Sequence, residues 1–496
     1  MNFPENPKRT AYIQKGLEYL LLFLVSAVFM LAFSLWESPY YEHWYGCDAS
    51  FFSMVGRGIT QGMVPYRDFF DLKGPYFFFI QALGQLLHKN RLGAFLIEIP
   101  FLFFSLLLLY ELAKLYLSKK KSIAVLCIFL FMHISTLWGG NTLEEFCLPL
   151  SLLCLYLTAR HLKKTGLPIW QLPKASAFII GICFGIVAFS KITVAAPVLG
   201  IVCAILFLDL AGKKPGSLLV FLLFFILGTA AAALPVFLYF GYHHAIGEML
   251  YCVFSFALKR SVDFSEKFNI VWEIKLSGCI FAFLFACLHR RQLSGATRII
   301  LVAMSAATYL LLHLGNPFIY YFTTVYPSSL FAFILLLSVY DPLILFKNVR
   351  QGICLSVLGV CLFYYATCSM DTVRTFLYGK SNSYHEDYYK DASDLATLIP
   401  EWERDQVYCF STDMTWFEAN QILPCYKYQV NLQFFIALDP QIKGDIITYL
   451  NNTPPKWLVV GSSFQNEIPD LFEIVSEKYD CICSNSSGDL YLLRND

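Results

Sequence analysis

The amino-acid sequence predicts an α-helical multi-pass membrane protein with about 11 spans, additional juxtamembrane or re-entrant helices, and a C-terminal extracytoplasmic α/β domain. Three observations lead to this fold class. Of the 496 residues, 57% are hydrophobic and only 15% are charged, whereas soluble chains carry about 25% charged residues. Apolar runs recur as far as residue 369, and many approach the roughly 20 residues that span a bilayer. From residue 371 onward, charged and polar residues return.

Basic residues predict the orientation of the first runs. Lys8, Arg9 and Lys15 precede the run 16–36, so the N-terminus is expected in the cytoplasm and the loop 37–92 outside. Three lysines, 119–121, follow the run 93–117 and are expected inside. The twelve apolar residues from Tyr76 to Leu87 therefore cannot be a complete crossing. They predict a juxtamembrane or re-entrant helix on the outer side.

The later runs alternate between the two sides, with basic clusters at the predicted cytoplasmic ends. They are 122–138, 146–156, 176–189, 192–210, 218–240, 276–288, 299–312, 324–346 and 353–369. This count places the C-terminus outside and predicts a membrane domain, 1–370, followed by an α/β domain, 371–496. In the second domain, Trp457–Gly461 and Leu490–Arg494 have the composition of strands.

The stretch 40–75 concentrates charged side chains beside predicted membrane helices. They are Glu42, His43, Asp48, Arg57, Arg67, Asp68, Asp71 and Lys73. Charges near lipid are costly unless they are solvated or paired, so such a concentration indicates a site. Asp48 precedes a predicted interfacial helix, 49–60, and two interpretations stay open: a helix N-cap or a catalytic carboxylate.

The motif DFFDLKGP, residues 68–75, contains two acids, a lysine and a Gly-Pro break before a short apolar helix. Lys73 could pair with Asp68 or Asp71, or it could bind a lipid phosphate at the headgroup level. Arg67 has a planar guanidinium group that can bind two phosphate oxygens. An arginine in a buried salt bridge would look the same in the sequence, so both roles stay open. We take Lys73 and Arg67 as candidate phosphate ligands, and the two aspartates as candidate substrate contacts.

A second charged turn, Gly139-Gly140-Asn141 followed by Glu144-Glu145, is expected on the same outer face. Acids in the first turn of a helix are also favoured by the helix dipole, so a structural role stays open. We take Asn141 as a candidate substrate contact and both glutamates as candidate catalytic residues.

Lys191 lies between two apolar runs without an acid nearby in sequence. It is either a phosphate ligand or a lysine that extends to the membrane surface. The aromatic segment 316–321 ends in Tyr320 and Tyr321, which are interpreted as interface anchors or as substrate contacts.

Four features follow one another along the chain: the loop carboxylate, the segment PYRDFFDLKGP, the Asn-x-x-Glu-Glu turn and the C-terminal α/β domain. Together they resemble the C-type (GT-C) glycosyltransferase superfamily, near its bacterial protein mannosyltransferase-like and aminoarabinose-transferase-like members. The resemblance implies a sugar donor linked through phosphate to a polyprenyl lipid. It also implies Asp48 as general base, Glu144 or Glu145 as the second acidic position, and Lys73 at the donor phosphate. Relatives often have Lys-Pro-Pro where this chain has Lys73-Gly74-Pro75, and His-Tyr where it has Tyr320-Tyr321.

We therefore expect an inverting glycosyltransferase that acts on an acceptor hydroxyl at the outer membrane face, with Lys73 and Lys191 stabilising the leaving phosphate. No cofactor is required, although Glu144 and Glu145 could hold a divalent metal. The expected partners are the donor, membrane lipid and a glycan, lipid or protein acceptor, but not nucleic acid, because the net charge is only +1. The alternatives are a lipid-linked glycan polymerase or ligase, which the cations of loop 241–273 keep open, and a transporter or flippase.

Overall fold

The structure, a computed structural model, describes residues 7–42, 46–260, 270–314, 318–340, 349–379 and 383–494. His43 of the charged stretch and Asn316 of the aromatic segment lie outside these residues. All other candidate site residues are described.

Each of the eleven predicted spans falls on a helix in the described chain. These helices are Pro7–Phe33, Arg91–Lys114, Lys119–Thr136, Leu143–Arg160, Lys174–Ala188, Ala196–Ala211, Pro215–Tyr242, Ser277–Leu288, Gly295–Leu312, Tyr326–Val339 and Val349–Tyr378. Short 3₁₀ or π turns connect or extend them at His161–Thr165, Ile169–Gln171, Ile192–Ala195 and Ile319–Val325.

Among the described residues, 7 helical segments are long and apolar enough to cross a membrane. They are Tyr12–Phe33, Arg91–Lys114, Ile192–Ala211, Pro215–Tyr242, Gly295–Leu312, Ile319–Val339 and Val349–Tyr378. The helices Lys174–Ala188 and Ser277–Leu288 are apolar but shorter. The predicted fold class, a multi-pass helical membrane protein with a C-terminal α/β domain, is confirmed.

Two short helices form in the first loop, as the sequence predicts. They span Cys47–Thr60 and Pro75–Leu87. The helices pack closely at Gly56, where an added Cβ would lie 2.6 Å from the backbone carbonyl carbon of Gln81. A larger side chain there would separate the two helices. Further along the chain, short helices cover Ile246–Leu250, Tyr251–Phe256, Ala257–Arg260 and Ile270–Lys275.

The C-terminal region contains a four-stranded sheet in the order β1-β2-β4-β3. The strands are β1 Val407–Phe410, β2 Trp457–Val460, β3 Tyr479–Asn485 and β4 Gly488–Leu493. β1 and β2 are parallel, and β4 is antiparallel to both of its neighbours. The described helices of this region are Ser383–Thr397, Glu401–Gln406, Thr415–Ala419, Leu432–Leu438, Gln441–Asn452, Phe464–Glu467 and Pro469–Lys478. The predicted strands Trp457–Gly461 and Leu490–Arg494 correspond to β2 and β4, and a strand was also expected at Cys481 and Cys483, where β3 lies. β1 was not predicted.

The chain divides into two compact units. The helical unit comprises residues 1–34, 97–236 and 263–376, and the mixed unit comprises residues 35–96, 237–262 and 377–496. The predicted domain boundary between residues 370 and 371 falls inside the helix Val349–Tyr378, and it stays a prediction. The C-terminal sheet and the first loop belong to the same unit.

A buried ion pair fixes the first loop to the C-terminal region inside the mixed unit. Arg57 Nη1 lies 2.8 Å from Glu418 Oε2, and both side chains are buried. Arg57 Nη2 also donates to the backbone carbonyls of Phe417 and Ile422, and the Ser53 hydroxyl donates to the other carboxylate oxygen of Glu418. These contacts hold the helix Cys47–Thr60 against the helix Thr415–Ala419.

We expect Glu418→Gln to destabilise the mixed unit by about 3 kcal/mol, because removing one partner leaves the buried Arg57 charge uncompensated. The measurement is thermal or denaturant unfolding of the purified protein in detergent. Asp480→Asn is the control, because it breaks an exposed pair with Arg494, and exposed pairs contribute little. Equal stability of the two variants would contradict a structural role for the Arg57–Glu418 pair.

Candidate functional site

Asp48 lies in the first turn of the helix Cys47–Thr60. The N-cap is Gly46, which has extended backbone angles and no side chain to form a cap. The N-cap interpretation of Asp48 is therefore not what the structure shows. The Asp48 side chain is half-buried, and within the described parts of the chain it has no hydrogen bond or ion pair. Its carboxylate is available to accept a proton from a ligand.

Lys73 and Asp71 form a pair close to Asp48. Lys73 Nζ lies 3.4 Å from Asp71 Oδ2 and 4.6 Å from the centre of the Phe52 ring. Burial raises the pKa of Asp71, the charge of Lys73 opposes that rise, and the charge of Asp48 adds to it. The structure thus brings three predicted site residues, from both ends of the first loop, into mutual electrostatic range.

The C-terminal region adds Asp413, which the sequence reasoning missed. Although Cys47 is exposed, the protein atoms around its thiol raise the pKa of that thiol, and the charges of Asp413 and Asp48 raise it further. The backbone of Met414 also hydrogen-bonds to that thiol. Asp413 accepts a hydrogen bond from the backbone N–H of Thr415, which is an ordinary turn contact. No local sequence signal therefore marks Asp413 as a charge that acts on Cys47.

Arg67 and Asp68 lie in a separate cleft. The Arg67 guanidinium donates to both carboxylate oxygens of Asp68, at 3.2 and 3.1 Å. A cavity of about 580 Å³ is lined by these two residues and by residues of the C-terminal region, among them Tyr426, Lys427, Asp445, Thr448, Tyr449 and Asn452. In the described chain, its lining does not include Lys73. The two predicted phosphate ligands of the first loop therefore line different surfaces.

A turn with left-handed backbone precedes Glu144 and Glu145 in the helical unit. Four consecutive residues have positive φ angles: Trp138 at 51°, Gly139 at 89°, Gly140 at 104° and Asn141 at 57°. Glycine adopts this region without strain, and asparagine tolerates it. An added Cβ on Gly140 would lie within 2.2 Å of the Ser34 hydroxyl. The sequence Gly-Gly-Asn therefore meets a conformational requirement.

Glu98 secures this turn from a neighbouring helix. One Glu98 carboxylate oxygen accepts the Ser34 hydroxyl at 2.9 Å, and the other accepts the backbone N–H of Asn141. All three residues are buried. Asn141 was predicted as a substrate contact. Its backbone N–H is occupied by the hydrogen bond to Glu98.

Glu144 and Lys191 form an ion pair. Lys191 Nζ lies 2.8 Å from Glu144 Oε1 and 3.2 Å from the centre of the Tyr321 ring. Glu144 is only 2% exposed, whereas the Lys191 side chain is 22% exposed. A cation that is held from behind by a carboxylate, and is reachable from solvent, is suited to bind an anion.

Glu145 has different surroundings from Glu144, although the two are adjacent. It is 1% exposed, and neither carboxylate oxygen has a hydrogen-bond partner in the described chain. His133 Nε2 lies 3.9 Å away, beyond hydrogen-bond distance. The sequence left open which glutamate faces a ligand, and the pairing with a partly exposed lysine favours Glu144.

The two predicted tyrosines also differ. Tyr321 is buried under the Lys191 ammonium. Tyr320 stacks on Phe318 with ring centres 5.6 Å apart and lies 6.4 Å from the Trp138 ring. Tyr321 therefore belongs with the Glu144–Lys191 pair, and Tyr320 with an aromatic group beside the Gly-Gly-Asn turn.

The candidate residues thus form two groups, one in each unit. Asp48, Asp71 and Lys73 lie together in the mixed unit, and Glu144, Lys191 and Tyr321 lie together in the helical unit. Among the described residues, no three His, Cys, Asp or Glu side chains are arranged to hold a metal ion.

The fold matches solved membrane glycosyltransferases. AglB, an oligosaccharyltransferase from Archaeoglobus fulgidus in complex with an inhibitory peptide and a dolichol-phosphate, has 13% identity and a TM-score of 0.54, covering 97% of this chain and 75% of its own. ArnT from Cupriavidus metallidurans, bound to undecaprenyl phosphate, has 13% identity and a TM-score of 0.58, covering 96% and 98%. At this identity the likeness establishes the fold alone. No family model matches the sequence, and no curated protein does either.

We expect Lys191→Met to destabilise the helical unit by about 3 kcal/mol, because it strands the buried Glu144 carboxylate. The double variant Lys191→Met, Glu144→Gln should recover part of that loss, because no charge is then left unpaired. Thermal unfolding of the wild type, both single variants and the double variant gives the coupling energy. Strictly additive effects would contradict the ion pair.

Proposed function

We propose that this chain, which has the fold of the GT-C membrane glycosyltransferases, transfers a sugar from a polyprenyl-phosphate donor to an acceptor hydroxyl with inversion at the sugar. The observation that carries the proposal is the grouping of Asp48 with Lys73 and Asp71. It combines a half-buried carboxylate with a cation that directly precedes the short apolar helix Pro75–Leu87. The solved neighbours support the donor class, because one is bound to dolichol-phosphate and the other to undecaprenyl phosphate.

In the proposed step, Asp48 accepts the proton of the acceptor hydroxyl while that oxygen bonds to the sugar C1. The bond between C1 and the phosphate oxygen breaks at the same time, and its electron pair leaves with polyprenyl phosphate. General-base help of this kind contributes about 10²–10⁴ in rate. A lipid phosphate leaves as an anion and needs no protonation when cations stabilise it.

Lys73 is proposed to bind the donor phosphate. Its ammonium contacts the carboxylate of Asp71 and the ring of Phe52, which together restrict where it can point. Asp71 therefore has a positioning role rather than a catalytic one.

For the second group, we propose that Lys191 provides a further cation for the donor and that Glu144 holds it in place. Glu145 has no such partner and is proposed to act only through packing of the turn. Glu144→Gln should then reduce transfer more than Glu145→Gln does.

Acceptor recognition is proposed for the cleft that Arg67 and Asp68 line. Its walls carry the polar side chains of Thr448 and Asn452, with half-buried Tyr449 beside them. Such groups hydrogen-bond to hydroxyls and amides, which suits a glycan, a lipid headgroup or a peptide.

The proposed location is the cytoplasmic or inner membrane, with the N-terminus in the cytoplasm and the C-terminal domain outside. The lysine clusters support this orientation by the positive-inside rule. Labelling of lysines 119–121 by an impermeant reagent on intact cells would contradict it.

The polymerase or ligase alternative depended on the cations of loop 241–273. Lys259 of that loop pairs with Asp439 at 2.7 Å, and residues 261–269 lie outside the described chain. A structural partner for Lys259 does not favour this alternative.

We expect Asp48→Asn to lower transfer by at least about 10²-fold without loss of folding, because the amide cannot accept the acceptor proton. A panel of labelled polyprenyl-phosphate sugars first identifies a donor for the wild type, and release of free lipid phosphate measures the rate. Asp470→Asn, which changes an exposed carboxylate paired with Lys443, is the control. Full activity of Asp48→Asn would reject the assignment.

For the acceptor cleft, we expect Asn452→Ala to raise the acceptor KM about fivefold, the effect of losing one hydrogen bond of about 1 kcal/mol. The donor KM and kcat should stay near the wild-type values. The neighbouring Asn451 bonds to Lys478 and does not line the cleft, so Asn451→Ala is the matched control. An equal rise in both variants, or none in either, would remove acceptor binding from this cleft.

A further inference from the structure

A second cavity, of about 370 Å³, lies within the helical unit. It is bordered by the turn Ile169–Gln171 and by the ends of three helices: the start of Lys174–Ala188, the end of Ala196–Ala211 and the start of Pro215–Tyr242. The basic pair 213–214 beside it predicts that this end of the helices faces the cytoplasm. The cavity is therefore expected on the opposite membrane side from the proposed glycosyl transfer.

Asp209 is a buried acid in the lining of this cavity. It is only 1% exposed, and neither carboxylate oxygen has a hydrogen-bond partner in the described chain. The Ser217 hydroxyl lies beside Asp209 and interacts with its carboxylate, but its proton is donated to the backbone carbonyl of Trp170. A buried carboxylate without a partner destabilises the folded protein. Glu144 and Glu418 differ from Asp209 because each has a cationic partner.

The lysines that follow Asp209 in sequence do not neutralise it. No ion pair of the described residues includes Asp209, and Lys214 lies over the Trp170 ring at 5.8 Å. Neither of the two lysines close in sequence therefore compensates the charge of this carboxylate, and Asp209 is among the residues that line the cavity.

The other lining residues provide a cation, an apolar wall and an aromatic side chain, which are features of a lipid-binding site. Lys174 is an exposed cation that borders the cavity. Ile205, Val220 and Phe221 provide apolar wall. The half-buried Trp170 is the amphipathic type of side chain found at membrane interfaces.

We propose that this cavity binds an aminophospholipid, with the primary ammonium on Asp209, the phosphate at Lys174 and an acyl chain along Val220 and Phe221. The charge pattern selects this class. The Asp209 carboxylate would repel a purely anionic headgroup. A simple metal ion would make no favourable contact with Lys174 or with the apolar wall. A primary ammonium has three N–H donors for the carboxylate, whereas a quaternary ammonium has none.

The first test uses the wild-type protein alone. Native mass spectrometry follows binding of phosphatidylethanolamine and of its mono-, di- and trimethylated forms, with phosphatidylglycerol as the anionic comparison. We expect affinity to fall stepwise with methylation, by at least about tenfold in total, because the lost N–H donors can no longer form charge-assisted hydrogen bonds; tenfold corresponds to about 1.4 kcal/mol. A flat series, or tighter binding of phosphatidylglycerol, would overturn the proposal.

The second test assigns the selectivity to the acid. Asp209→Asn should bind the ethanolamine and trimethylated lipids equally, while Lys174→Gln should weaken both to the same extent. Glu111→Gln is the matched control, because Glu111 is a carboxylate near the end of another membrane helix and is satisfied by Tyr19 and Lys114. Unchanged selectivity in Asp209→Asn, or lost selectivity in Glu111→Gln, would contradict the assignment.

Discussion

The cost of removing a charge from water constrains this structure more than any other effect. In the mixed unit, Arg57 and Glu418 are 361 residues apart in sequence and form a buried pair. In the helical unit, Glu144 and Lys191 are 47 residues apart and do the same. Because a lone buried partner is strongly destabilising, each pair fixes two chain segments relative to one another. These contacts define the geometry of the candidate site residues within each unit.

Two buried carboxylates of the described residues, Glu145 and Asp209, have no hydrogen-bond partner on either oxygen, and their surroundings differ. Glu145 is enclosed with His133 beyond hydrogen-bond distance, and no cavity adjoins it among those described. Asp209 lines a cavity with a cation and an aromatic ring in its walls. An unpartnered acid with space in front of it can be satisfied by a ligand. An enclosed acid without such space has no route to a ligand.

The likeness to AglB and ArnT shows how much sequence change this fold accommodates. Both have 13% identity to this chain over almost its whole length. Membrane helices require apolar side chains of sufficient length, and many sequences meet that requirement. The fold therefore does not identify the sugar or the acceptor, and function must be argued from the site. Here that argument depends on a few polar side chains in turns between helices.

The sequence alone determined which segments are helical, because apolar length and flanking charge act locally along the chain. It also located β2 and β4 and identified Asp48, Lys73, Glu144 and Lys191 as charges that need an explanation. Only the tertiary structure decided which partner each charge has. It paired Glu144 rather than Glu145 with Lys191, separated Arg67 from Lys73, and brought the charge of Asp413 into electrostatic range of Cys47. These outcomes depend on contacts between residues that are far apart in the chain, and a contact of that kind leaves no periodicity or spacing in the sequence.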